Sequence, residues 1–137
     1  GGKLQLAVWD FNNGFDNYQW FRTETDALYT VENSWFERLW QDKTFRKCVC
    51  ERYRQLRKTT LSDEYIYDKI ASYQEELGDA VDRNFKVWGY SFDETLLAGT
   101  TKEGTSRDIG SYEEAVKQLT DTIRERLAYL DKELGGK

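Results

Sequence analysis

The chain has 137 residues, 39% of them hydrophobic and 15% aromatic, with 20 basic side chains against 25 acidic ones for a net charge of −5. That is enough apolar matter for the core of one globular domain, and the acidic balance argues against a general nucleic-acid surface, which needs clustered excess Lys and Arg to neutralise phosphates. With no His at all, the usual general base, the commonest zinc ligand and any Ser-His or Cys-His nucleophile pair are missing, so hydrolase triads and zinc sites have nothing to build on.

Leu4, Leu6 and Val8 alternate with Gln5 and Ala7 at period two, which predicts a half-buried strand ended by the turn chemistry of Asn12-Asn13-Gly14. Asp10 projects from the end of that strand. Together with the amide oxygen of Asn12 and the carboxylate of Asp16 it offers hard oxygen ligands suited to Mg²⁺ or Ca²⁺. Asp, Asn and Gly are also ordinary turn formers, so a plain strand-to-loop turn is the competing reading. An EF-hand loop is set aside, because its fifth, sixth and twelfth positions would be Gly14, Phe15 and Phe21.

Residues 15–33 mix aromatic and polar residues at neither helical nor strand period and predict a long ordered loop. Ser34 then caps a short helix with Trp35, Phe36, Leu39 and Trp40 on one face, and Asp42 caps the next, in which Phe45, Cys48, Val49, Tyr53 and Leu56 recur at three and four. The two make a helical hairpin with an aromatic seam. Cys48 and Cys50 point about 200° apart on a helix, which rules out a shared metal or a mutual disulfide and leaves Cys48 in the core. Arg52, Arg54, Arg57 and Lys58 read as a solvated face, with cations well placed near the C-terminal end of the helix dipole.

Ser62 and Asp63 open a longer pattern, Ile66, Ile70, Tyr73, Leu77, Val81, Phe85 and Trp88, predicting one helix with a kink at Gly78. Residues 89–111 are rich in Gly, Thr and Ser and form a loop, either plain surface or a lid or partner-binding segment. Ser111 with Glu114 is a capping box that opens a last helix, residues 112–134, through Tyr112, Val116, Leu119, Ile123, Leu127, Leu130 and Leu134, stopped by Gly135 and Gly136. Its stripe suits a core helix, or else a partner helix in trans. No Gly-rich phosphate loop, no membrane-spanning apolar run and no basic-then-apolar leader occurs.

Residues 1–137 therefore read as a single domain: strand and metal-site loop to 33, helices over 34–88, loop over 89–111, and the C-terminal helix. A lone strand needs a neighbour for its backbone donors and acceptors. Its sheet is expected upstream of Gly1, which makes this the helical C-terminal portion of a larger domain. Pairing between copies through the N-terminal strand, giving a homodimer, is the alternative.

Two stretches, Trp9-Asp10-Phe11-Asn12 and the helical run from Trp35-Phe36-Glu37-Arg38 to Lys43-Thr44-Phe45-Arg46, resemble the C-terminal part of the CotH kinase family of secreted or spore-coat atypical protein kinases; the helix from Tyr112-Glu113-Glu114 to Leu130 fits too. The resemblance implies a mainly α fold, the helical C-terminal lobe of a kinase-like domain with one short N-terminal β-strand. It further implies phosphoryl transfer from ATP to protein hydroxyls, with Mg²⁺ or Mn²⁺ as metal, a protein substrate, and an extracytoplasmic or spore-surface location. Asp10 resembles the family's metal-binding Asp, the counterpart of the residue that positions Mg²⁺ on the nucleotide phosphates of ordinary kinases. Asn12 stands where the family usually has a second acidic residue; its amide oxygen still coordinates, with one less negative charge. Asp16 is an outer candidate ligand. The phosphate-binding Lys and the catalytic-base Asp are expected upstream of Gly1, so no catalytic residue is assigned here and the chain alone is expected to be inert, binding neither metal nor ATP tightly. Rival readings are a non-catalytic helical interaction module, or degenerate kinase lobe, and a carbohydrate-binding surface of Trp20, Phe21 and Trp35, rings that otherwise belong to the core.

Overall fold

A computed structural model of the chain describes residues 14–15, 24–28, 32, 34–88 and 111–136. The strand expected over 4–8, the candidate ligands Asp10, Asn12 and Asp16, and the 89–111 loop up to residue 110 lie outside the described residues. Among the described residues the fold is mainly α, with helices α1 (Ser34–Gln41), α2 (Lys43–Arg57), α3 (Asp63–Leu77), α4 (Ala80–Trp88) and α5 (Tyr112–Leu134) and no strand.

Three side-chain caps set the helix starts. Asp42 leaves helical geometry at ψ 120°, and one carboxylate oxygen accepts from the backbone N–H groups of Thr44 and Phe45 at 2.7 and 2.9 Å. Those N–H groups, Phe45's first and then Thr44's, hold the Asp42 carboxyl below its ordinary range. Ser62 accepts from Tyr65 at 3.2 Å and Ser111 from Glu114 at 3.1 Å, the backbone half of the expected capping box. Ser34, expected as a cap, is instead the first residue of α1.

α1 packs on α2, and α2 packs on α5. The core among the described residues is Tyr53 of α2 with Ile123, Leu127 and Leu134 of α5, each 6–7% exposed, and Thr122 beside them. The last helix's stripe is thus turned into the domain's own core. Cys48, expected in that core, is exposed and Cys50 is half-buried. The reason is angular: the buried face of α2 is centred on Tyr53, and Cys48 lies about 140° around the helix from it. Trp35 is 80% exposed and Leu39 also faces outward, so Phe36 and Trp40, both half-buried, carry the seam of the hairpin.

The single helix expected from Ser62 to Trp88 is two. Gly78 caps α3 with φ +41°, ψ −132°, its N–H donating to the Gln74 carbonyl at 3.0 Å, and Val81 N–H then donates to the Gly78 carbonyl as α4 begins. A Cβ at Gly78 would meet the Glu75 carbonyl oxygen at 3.5 Å, an ordinary contact, so the demand for glycine comes from the backbone angle and not from space. Gly78→Ala should therefore destabilise the chain by about 1–2 kcal/mol, read as a lower urea midpoint with an unchanged slope.

Candidate functional site

One charged node ties three helices together. Arg57, near the C-terminal end of α2, donates from Nε and Nη2 to the two carboxylate oxygens of Asp131 on α5, both at 2.9 Å. Its Nη1 donates to Asp63 at the start of α3 at 2.8 Å and to the Leu61 carbonyl. The Tyr53 hydroxyl completes the arrangement by donating to Asp131 at 2.7 Å. Burial disfavours the Arg57 charge, but the bonds from Asp131 and Asp63 outweigh it and raise its pKa further. At Asp131 burial is likewise outweighed, by Arg57 and then Tyr53, and the carboxyl sits below its ordinary range. Burial and the bond to Asp131 push the Tyr53 phenol up.

Arg57 was expected on a solvated face; its side chain is only 20% exposed. Arg54 is exposed as expected, with its Nη1 3.5 Å from the carbonyls of Leu134 and Gly135, where a cation suits the C-terminal end of α5. An open cleft of about 440 Å³ lies over this region, lined by Tyr53, Arg54, Arg57, Lys58, Asp131 and Gly135 together with Glu51 and Gln55.

The cleft is one end of a basic face. Residues 43–58 hold seven cations and one carboxylate, Glu51. Lys43, Lys47, Arg54 and Lys58, all exposed, fall within about 60° of one another around the helix. The first turn of α2 contains no acidic residue, whereas those of α3 and α5 contain Asp63 and Glu64, and Glu113 and Glu114. A cation near a helix N-terminus costs about 0.3–1 kcal/mol, and the like-charged i,i+4 pairs Lys43/Lys47 and Arg54/Lys58 cost about 0.2–0.5 kcal/mol each. At its N-terminal end and between like-charged neighbours the stripe works against the stability of its own helix, while the dipole favours Arg54 and Lys58 at the other end.

A second tie runs from α5 to the segment that follows the Asp10–Asp16 cluster in sequence. Arg126 Nη1 donates to the carbonyls of Thr25, at 2.9 Å, and Ala27, while Thr25 Oγ1 donates to Glu125 at 3.3 Å. The guanidinium also lies 5.4 Å from the Tyr129 ring centre. Removing one charge-assisted clamp of this kind frees a local segment by about a factor of ten. Arg126→Ala should accordingly speed limited proteolysis at 24–28 about tenfold while helix content stays constant.

Of the residues expected to hold a metal, Asp10, Asn12 and Asp16 lie outside the described residues, as do Trp20 and Phe21 of the sugar-binding reading. Phe15, just before Asp16, lies in a turn at φ +56°. Among the described residues no group of three Cys, Asp or Glu side chains is placed to hold a metal ion, and no helix is long and apolar enough to cross a membrane. The Arg57 node and the Arg126 clamp escaped sequence reading because their partners are 74 and about 100 residues away. The α2 stripe was findable from charge periodicity, though the run of four basic residues marked only its C-terminal end.

Comparison with curated proteins and with solved structures finds no match. The family model described as CotH kinase protein matches residues 1–130. That match takes in the Trp9-Asp10-Phe11-Asn12 element, all of α1–α4 and α5 as far as Leu130, and the chain belongs to the CotH kinase family.

Proposed function

We propose that the chain is the helical C-terminal lobe of a CotH-type protein kinase, working with an upstream half of the same domain to transfer the γ-phosphoryl group of ATP to a protein hydroxyl. The family match over residues 1–130 carries this reading. The three oxygen donors fit a hard divalent cation by their chemistry: Asp10 would be the main ligand for Mg²⁺ or Mn²⁺, Asn12 a neutral second and Asp16 an outer one. When bound, such an ion neutralises charge on the transferring phosphate. The chain's own contribution is positional. Asp10 and Asn12 present oxygen, the Arg57 node fixes α2, α3 and α5 to one another, and Arg126 holds the segment after the cluster to α5. The phosphate-binding Lys and the catalytic base come from the upstream half, so the isolated chain is inert. A protein substrate and an extracytoplasmic or spore-surface location go with this reading.

The test is phosphate incorporation from labelled ATP, with Mg²⁺ or Mn²⁺, by the gene product that includes the upstream half, comparing wild type with Asp10→Ala. Incorporation that disappears in a folded mutant supports the reading. A folded, nucleotide-loaded wild type that transfers nothing makes the chain a degenerate lobe.

A further inference from the structure

We propose that the basic face of α2 docks an acidic, extended stretch of a partner protein. The proposal is independent of whether the domain transfers phosphate.

In a chain of net charge −5, seven cations and a single carboxylate fall within residues 43–58. Arg57 is taken up by Asp131 and Asp63, but folding does not call for the like-charged pairs Lys43/Lys47 and Arg54/Lys58, which crowd one face and reach the helix N-terminus at Lys43, where the dipole repels a cation. Nor do carboxylates elsewhere in the described structure neutralise these four. Among the described residues Lys43, Arg46 and Lys58 have no ion pair, Arg54 meets only two carbonyls at 3.5 Å, and Lys47 reaches Glu51 at 3.9 Å. Among the described residues, then, the charge of this stripe is left open to a partner.

The spacing indicates what kind of thing. Lys43, Lys47, Arg54 and Lys58 span fifteen helical rises, about 22 Å, which an extended peptide covers in about seven residues. At the C-terminal end the cleft between Arg54, Lys58 and Gly135 has room for a side chain, with Arg57 already fixed as its wall by Asp131 and Asp63. Carboxylates along such a peptide would meet four exposed cations. The negative charge elsewhere on the chain matters little at this range, because the screening length at physiological ionic strength is about 8 Å. A nucleic acid fits less well. Single strands need exposed rings to stack on, and the rings of α2, Phe45 and Tyr53, are half-buried and buried on another side.

The experiment is fluorescence anisotropy of a labelled ten-residue peptide of alternating Glu and Ser, with its Gln-for-Glu counterpart as control. Wild type should bind the Glu peptide, more weakly as salt rises, and ignore the Gln peptide. The triple variant Lys43→Gln, Lys47→Gln, Lys58→Gln, which changes three exposed side chains, should weaken binding about tenfold with an unchanged circular dichroism spectrum. Glu51→Gln, which removes the one carboxylate of the face, should strengthen it, and carries the test if the triple variant misfolds. Three results overturn the proposal: no binding by wild type, equal binding by wild type and variants, or binding of inorganic polyphosphate with none of the Glu peptide.

Discussion

Arg57→Ala should lower the stability of the chain by about 2–3 kcal/mol and its melting temperature by roughly 10 °C. The substitution removes both bonds to Asp131, the bond to Asp63 and the bond to the Leu61 carbonyl, and so detaches α5 and the start of α3 from α2 together. A fully buried pair would cost more, about 3–5 kcal/mol. Here Asp131 and Asp63 are 44% and 61% exposed, and water takes over part of their solvation. Arg57→Lys should recover less than half of the loss, because a single ammonium cannot serve two carboxylates and a carbonyl in one plane. The same node gives stability a predictable pH profile. Asp131 titrates below its ordinary value of 3.8 in the folded chain, so its contribution is complete above that value and is lost as pH falls through the lower folded one. Tyr53 titrates above its ordinary 10.0, so its contribution holds below pH 10 and is lost as pH rises further. Thermal melts across pH should show Asp131→Asn flattening the acid limb and Tyr53→Phe the alkaline one.

On the function proposed above, Asp10→Ala in a gene product that includes the upstream half should cut phosphate incorporation by about two to three orders of magnitude. Removing one preorganised group that stabilises developing charge costs about that much, and Asp10, the one carboxylate of the Trp9-Asp10-Phe11-Asn12 element, is the group that reading assigns. The measurement is incorporation at saturating metal and again at limiting Mn²⁺. Loss at both identifies a ligand essential to transfer; a loss that excess metal repairs identifies one that only contributes affinity. Asn12→Asp serves as the reciprocal test. Restoring the second negative charge should lower the Mn²⁺ concentration needed for half-maximal incorporation, and no change there would remove Asn12 from the ligand set.

What could be read in the sequence is what a residue decides with its near neighbours. Asp42, Ser62 and Ser111 stand within three residues of the N–H groups they accept from, and Gly135 directly follows the last residue of α5, so helix starts and the final stop were visible without a fold. The stripe of Ile123, Leu127 and Leu134 was visible for the same reason, since helical period alone puts them on one face. The family resemblance, carried by the Trp-Asp-Phe element and the α1–α2 run, was also a sequence property. Periodicity failed where it had to average. The apolar spacing from Ile66 to Trp88 continues smoothly across Gly78, and the +41° φ that divides α3 from α4 leaves no mark on it. The choice between Cys48 and Tyr53 as the buried side of α2 waited on α5, because the larger ring fills the contact and its hydroxyl finds Asp131. Arg57 shows the division most plainly. The sequence by itself determined a cation at the end of a helix, where the dipole welcomes it; tertiary structure alone decided that it faces inward, because the carboxylate that pairs with it is 74 residues further along the chain, where no local pattern reaches.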